Sequence, residues 1–171
     1  MPSKVYIIGL GVEGRESLSK KAIDLVESAS FLIGGERHQQ EFPEFKGKRF
    51  ILRSNLKEML QTIENSSLVP HPPSLIVVLA SGDPGLYGIA DYLIKNFGRD
   101  AVEIIPNVSA MQWAFAKAKV SWKDARIVSS HGRGMDKVLG AAREAEKIGV
   151  FTSNGDEPSG IAKLLIDNGL T

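Results

Sequence analysis

The sequence predicts an α/β protein: a first domain with a mostly parallel sheet, followed by a smaller, incomplete α/β unit. Two observations carry this. Short unbroken apolar runs such as Val5-Tyr6-Ile7-Ile8 and Leu75-Ile76-Val77-Val78-Leu79 have the length and character of strands buried on both faces. Segments with apolar residues at helical spacing lie between the runs, in connections too long for hairpins.

In chain order, Val5 to Ile8 is the first strand and ends at Gly9-Leu10-Gly11. Leu18, Ala22, Leu25, Val26 and Ala29 mark the first helix. Phe31-Leu32-Ile33, before Gly34-Gly35, is a second strand, and Arg49 to Leu52 a third. Leu56, Met59, Leu60 and Ile63 form the next helix, with Ser54 or Asn55 as its N-cap. Pro70-His71-Pro72-Pro73 then breaks the chain before the strongest strand, Leu75 to Leu79. A helix is expected over Gly85 to Asn96, a strand over Val102 to Ile105 and a small-residue helix over Ser109 to Lys117. The stretch Lys119 to Lys123 is the expected boundary, giving domains 1–121 and 122–171. The second holds two clear strands, Arg126 to Ser129 and Ile148 to Thr152, and helices near Met135 to Lys147 and Pro158 to Asn168. Two strands seldom bury enough surface to stand alone, so the sequence is expected to stop inside this domain.

Composition narrows the function. Of 171 residues, 24% are charged and the formal net charge is +1, which lacks the positive field of a phosphate-backbone binder and argues against nucleic acid. Without cysteine, and with only His38, His71 and His131, neither a disulfide framework nor a usual zinc cage is expected. No apolar run approaches the roughly 20 residues of a bilayer span. The short apolar run after Lys4 is no secretory signal, so the expected address is the cytoplasm, away from membranes.

Four loops are placed to carry chemistry. Gly9-Leu10-Gly11-Val12-Glu13-Gly14 has the G-x-G-x-x-G spacing of a dinucleotide turn, with Glu36 near the place of a ribose-binding acid; a ligand-free glycine turn is the plainer alternative. Ala80-Ser81-Gly82-Asp83-Pro84-Gly85-Leu86-Tyr87-Gly88 follows the most buried strand, where open α/β sheets bind ligands. There Asp83 before Pro84 suits an N-cap, although capping alone leaves the surrounding glycines and Ser81 unexplained. Pro106-Asn107-Val108-Ser109-Ala110 ends another strand, with Ser109 or Asn107 either capping a helix or meeting a ligand. Ser129-Ser130-His131-Gly132-Arg133-Gly134 offers a His and an Arg that either meet carboxylates or stay solvated. Four loops at strand ends, split between two units, point to one shared cleft.

Taken together, the opening Gly9-Leu10-Gly11 strand end, the Leu79 to Pro84 turn and the Ile105 to Ala110 loop with Trp122 beyond it resemble the tetrapyrrole methylase family, in the same order and at suitable spacing. Ile33-Gly34-Gly35-Glu36-Arg37-His38 and Ser130 to Arg133 are most similar to the branch that methylates carbon 5 of a corrin precursor, precorrin-6Y or cobalt-precorrin-7, in cobalamin biosynthesis. The resemblance implies a two-domain tetrapyrrole methylase fold, S-adenosyl-L-methionine bound in kinked form, a homodimer, and a companion that methylates and decarboxylates at carbon 15. By motif it implies cofactor contacts from Ser81, Gly82, Asp83, Leu86, Ser109 and Ala110, from Val12, where many relatives have Pro, and from Thr152. Asn107 stands where many relatives have Gly.

Methyl transfer from sulfonium to carbon needs collinear alignment and exclusion of water rather than a nucleophilic triad, which suits a chain without cysteine. His131, Glu13 and Asp83 are candidates to accept a proton, with none singled out. A corrin precursor's carboxylates would favour His131 and Arg133, with Arg15 and Arg37 as further partners. Two competing readings remain open on sequence alone: an NAD(P)-dependent oxidoreductase using the Gly9 to Gly14 loop, and a non-catalytic small-molecule-binding module.

Overall fold

The computed structural model describes residues 4–67, 75–130, 134–152 and 158–170. Two compact units, Met1–Ala110 and Met111–Thr171, divide the chain. The division falls at the start of a helix expected in the first domain.

The first unit is a five-stranded sheet in the order β3-β2-β4-β1-β5, formed by β1 (Val5–Leu10), β2 (Phe31–Gly34), β3 (Lys48–Ile51), β4 (Ile76–Ser81) and β5 (Val102–Ile105). Every pairing is parallel, with Ile8 opposite Leu79 on one side and Ile105 on the other. Side chains alternate across the sheet, which explains why the central runs are apolar without a break. Ile7, Ile33 and Val78 face a core with Met59, Ile63 and Leu93 from α3 (Leu56–Ser67) and α4 (Ala90–Phe97). Ile8, Leu32, Val77 and Leu79 face the opposite core with Ala22 and Val26 from α1 (Lys20–Ser28) and with Phe42. Each fully buried side chain of this size contributes about 1.5–3 kcal/mol.

Local signals explain most boundaries. The Ser19 hydroxyl accepts from the Ala22 amide at 3.3 Å and caps α1. Asn55 precedes α3 and its carbonyl accepts from Met59 N–H, deciding between the two expected caps; its side chain meets the Arg53 amide and Glu58.

Two expectations fail. A short helix, α2 (Glu36–Gln40), follows β2, where none is expected from the sequence. Its five residues lack apolar periodicity, and Gln39 holds it by donating to Leu32 O at 2.8 Å and Phe50 O at 3.1 Å. The helix expected from Gly85 starts only at Ala90, because Tyr87 adopts φ 53, a left-handed conformation that interrupts an α-helix. Asp83 therefore caps no helix. Its Oδ1 accepts from Gly85 N–H at 2.8 Å, forming a turn closed by Leu86 N–H on the Asp83 carbonyl.

The second unit contains α5 (Ala110–Ala118) beyond its first residue, a two-stranded parallel sheet of β6 (Arg126–Ser129) and β7 (Ile148–Phe151), α6 (Gly134–Glu144) and α7 (Pro158–Asp167). Val138, Ala141, Ile161 and Met111 are its buried apolar residues. Among the described residues, no helix is long and apolar enough to cross a membrane, and no group of three His, Asp or Glu side chains is placed to hold a metal ion.

Candidate functional site

Because β4, β1 and β5 are parallel neighbours, the loops that follow them emerge together at one edge of the sheet. Hydrogen bonds tie the three loops directly. Gly82 N–H donates to Leu10 O at 2.5 Å, and Asn107 N–H donates to Gly82 O at 3.2 Å. Asn107 Nδ2 reaches across to Gly9 O at 3.2 Å and to Ser17 O and Oγ at 3.0 Å each. Ser17 Oγ in turn accepts from Gly11 N–H at 2.9 Å and donates to Gly14 O at 2.6 Å.

The crossing demands glycine at two positions. A methyl at Gly9 would lie 1.8 Å from Gly82 O, and Gly82, at φ +57, would drive a methyl to 2.6 Å from Ser109 Cα. Any side chain at either position pushes the loops apart.

The helix absent from the sequence reading completes the arrangement. Glu41, just after α2, accepts from Arg15 N–H at 2.9 Å through Oε2 and holds the first loop. His38 Nε2 lies 2.9 Å from Ser81 Oγ, so α2 also meets the second loop. Burial lowers the His38 pKa below 6.5, aided by Arg37 and opposed by Glu41. Its Nδ1 is sealed from solvent without a hydrogen-bond partner.

These elements surround a hollow of about 320 Å³ in the first unit, lined by Leu10, Val12, Arg37, His38, Ser81 and Val108, among others. Its size lies at the lower end of the roughly 300–1,000 Å³ usual for small-molecule sites. Val12 and Val108 are about half exposed, at 48% and 47%, and give the mouth apolar walls. Arg37 supplies a guanidinium there.

Of the residues expected to touch a cofactor, Val12, Ser81, Gly82 and Ala110 line this hollow. Asp83 and Leu86 lie in the following turn, outside its lining, and Ser109 is buried beneath Gly82. Thr152 is exposed just after β7 in the second unit. His131 and Arg133 lie outside the described residues. Arg15 is turned away: its guanidinium pairs with Glu27 at 3.0 Å and lies over Phe42. Glu13 is exposed and is not part of the lining.

The first loop lacks the geometry of a pyrophosphate cradle. A 3-10 turn, Arg15–Ser17, and the Ser19 cap separate Gly14 from α1, and Gly11 N–H is engaged by Ser17, so the glycines do not open directly into a helix N-terminus. Glu36 pairs with Arg53 at 3.7 Å. Both observations weigh against the oxidoreductase alternative.

Residues 4–171 match the family described as Tetrapyrrole (Corrin/Porphyrin) Methylases. The chain belongs to this family. A cobalt-precorrin-7 C(5)-methyltransferase of Salmonella typhimurium is 35% identical over 163 residues, 95% of this chain and 78% of the relative. The solved methyltransferase CobJ superposes with a TM-score of 0.77 at 17% identity, covering 96% of this chain and 76% of the other. A uroporphyrin-III C-methyltransferase of Thermus thermophilus, solved with S-adenosyl homocysteine, has a TM-score of 0.55 at 21% identity over 75% of this chain and 56% of that one. Methyl transfer is thus the chemistry of this tetrapyrrole methylase, and S-adenosylmethionine use is implied by its family. The non-catalytic alternative is set aside.

Proposed function

We propose that this tetrapyrrole methylase transfers a methyl group from S-adenosyl-L-methionine to carbon 5 of a corrin-ring precursor, precorrin-6Y or cobalt-precorrin-7, in cobalamin biosynthesis. The observation that carries the reading is the convergence of the loops after β1, β4 and β5 on one hollow, together with the identity to a relative of that named activity. When bound, the cofactor supplies an electrophilic methyl whose transfer is an in-line displacement. Gly82, which lines the hollow, leaves backbone at the sheet edge close to a ligand, and Ser81 offers a hydroxyl. Leu10, Val12 and Val108 form apolar walls that exclude water. Arg37 is suited to a carboxylate of an acidic macrocycle.

In this reading Val12, Ser81, Gly82 and Ala110 contact the cofactor directly. Asp83, Leu86 and Ser109 shape the loops behind them; a cofactor contact from Thr152 and substrate contacts from His131 and Arg133 are carried over from the family resemblance alone. A homodimer, a carbon-15 methyltransferase and decarboxylase as companion, and a cytoplasmic location belong to the same proposal.

The test is calorimetry of the chain with S-adenosylhomocysteine and with NADH. The first is expected to bind and the second not. Val108→Trp, which fills the mouth from an exposed position, should weaken binding by about tenfold or more with unchanged circular dichroism. Tight NADH binding with indifference to S-adenosylhomocysteine overturns the proposal.

A further inference from the structure

We propose that His38 is a positioning residue that turns the Ser81 hydroxyl hydrogen into the hollow, so that Ser81 donates to a carboxylate of the bound ligand; this rests on the methyltransferase reading above. The argument starts from the two ring nitrogens. Nδ1 is shut away from solvent and has no hydrogen-bond partner, whereas Nε2 stands 2.9 Å from Ser81 Oγ. A neutral imidazole carries one proton. Placed on Nδ1, it would be a buried donor without an acceptor, the costlier way to leave that atom unpaired. Placed on Nε2, it is donated to Ser81 Oγ. The neutral ring required here agrees with the lowering of its pKa by burial.

With Oγ accepting from His38, the Ser81 hydroxyl hydrogen is left to donate elsewhere. Both residues line the hollow, and His38 is the side-chain partner of Ser81 among the described residues. An acceptor within the hollow therefore completes the chain Nε2–H to Oγ, and O–H to ligand. A carboxylate is the matching group because Arg37 lines the same hollow and supplies positive charge, while the carboxylate of Glu41, also in the lining, is held by Arg15 N–H. Two ligands carry one: the amino-acid end of the methyl donor, and an acidic side chain of the macrocycle.

The experiment has two parts. In the ligand-free chain, the ¹⁵N shifts of the His38 imidazole at pH 7.5 should show the proton on Nε2; a proton on Nδ1, or a charged ring, overturns the proposal whatever the ligand proves to be. Calorimetry then compares wild type, Ser81→Ala, His38→Phe, the double variant and His38→Gln. The probes are S-adenosylhomocysteine, 5′-methylthioadenosine, which lacks the carboxylate, and cobyrinic acid, a corrin with free carboxylates.

Loss of about tenfold in affinity is expected for Ser81→Ala and for His38→Phe, with no further loss in the double variant. His38→Gln, which retains a side-chain N–H donor, should recover most of the loss. If the donor's carboxylate is bound, the loss appears with S-adenosylhomocysteine and not with 5′-methylthioadenosine. If a macrocycle carboxylate is bound, it appears with cobyrinic acid alone. Additive losses, failure of His38→Gln to recover binding, or unchanged affinity for both carboxylate probes overturn the proposal. A wild-type chain that binds neither carboxylate probe overturns the ligand assignment together with the methyltransferase reading, while the tautomer measurement still reports separately on His38.

Discussion

Gly9→Ala tests the loop crossing at its tightest point. The new methyl would stand 1.8 Å from the Gly82 carbonyl oxygen and 3.0 Å from Asn107 N. A carbon–oxygen contact settles near 3.3 Å, so one of two backbone segments must retreat by about 1.5 Å. Neither is a side-chain tip that can swing aside. The retreat breaks the bonds from Gly82 N–H to Leu10 O and from Asn107 N–H to Gly82 O, each worth about 0.5–1.5 kcal/mol. Overpacking adds about 1–3 kcal/mol. The expected loss is therefore about 4 kcal/mol, a large share of the roughly 5–15 kcal/mol available to a domain.

Urea unfolding measures it. With a slope of about 2 kcal/mol/M, the midpoint should fall by about 2 M. The probe is circular dichroism, because the displaced residues lie in the first unit whereas both tryptophans, Trp113 and Trp122, lie in the second. Gly140→Ala, inside α6 with nothing within 4 Å of the added methyl, is the control and should stabilise by about 0.5–1 kcal/mol. A Gly9→Ala chain within about 1 kcal/mol of wild type refutes the crossing, since no sheet edge with this geometry absorbs the methyl at that cost.

Asn107→Ala should lower stability by about 1–3 kcal/mol, and Asn107→Asp by more, because a carboxylate would face Gly9 O, Ser17 O and Ser17 Oγ with no proton to offer; thermal melts that rank Asp above Ala contradict the bonding pattern. His38 has a folded pKa below 6.5, so between that value and 6.5 the unfolded chain binds the extra proton: its contribution is full above pH 6.5 and is lost as pH falls through the folded value. Urea midpoints should drop on acidification more steeply in wild type than in His38→Gln, and parallel curves contradict this. Glu103 accepts from Lys4 at 2.7 Å and Lys21 at 3.3 Å, which lower its pKa; Glu103→Gln should cost a small amount of stability at low ionic strength and almost none in 1 M salt, a difference seen by paired melts.

What the sequence revealed follows from where each interaction is encoded. β1 and β4 are legible because a strand buried on both faces must be apolar at every position, a property of the run itself. The loop at Ser81-Gly82 is legible because glycine after such a strand marks backbone that needs a positive φ or a close approach, and Gly82 has both. α2 is not, since nothing in Glu36 to Gln40 alternates, and the Gln39 side chain that anchors it bonds to Leu32 and Phe50 on neighbouring strands. His38 is hidden for a related reason: its partner Ser81 is 43 positions away, brought alongside only because β2 pairs with β4. Likewise, Asn107 reads as a cap because Asn commonly caps, yet its amide is used across the sheet edge on residues 90 and 98 positions distant.

The wiring of the loops bears on catalysis through rigidity. A methyl transfer that depends on alignment gains from donors and walls held in place before the ligand arrives. Here the loops after β1, β4 and β5 are bonded to one another through Gly82, Asn107 and Ser17, and Glu41 fastens the first of them to α2. Each bond is made from backbone or from a short polar side chain, which leaves Val12, Val108, Arg37 and Ser81 to face the hollow. Gly82 and Glu41 serve as both scaffold and lining, whereas the side chains of Val12 and Val108 serve as lining alone. It follows that Val12 and Val108 can tune which ligand fits without disturbing the fold, whereas Gly9 and Asn107 cannot change without displacing every loop they join.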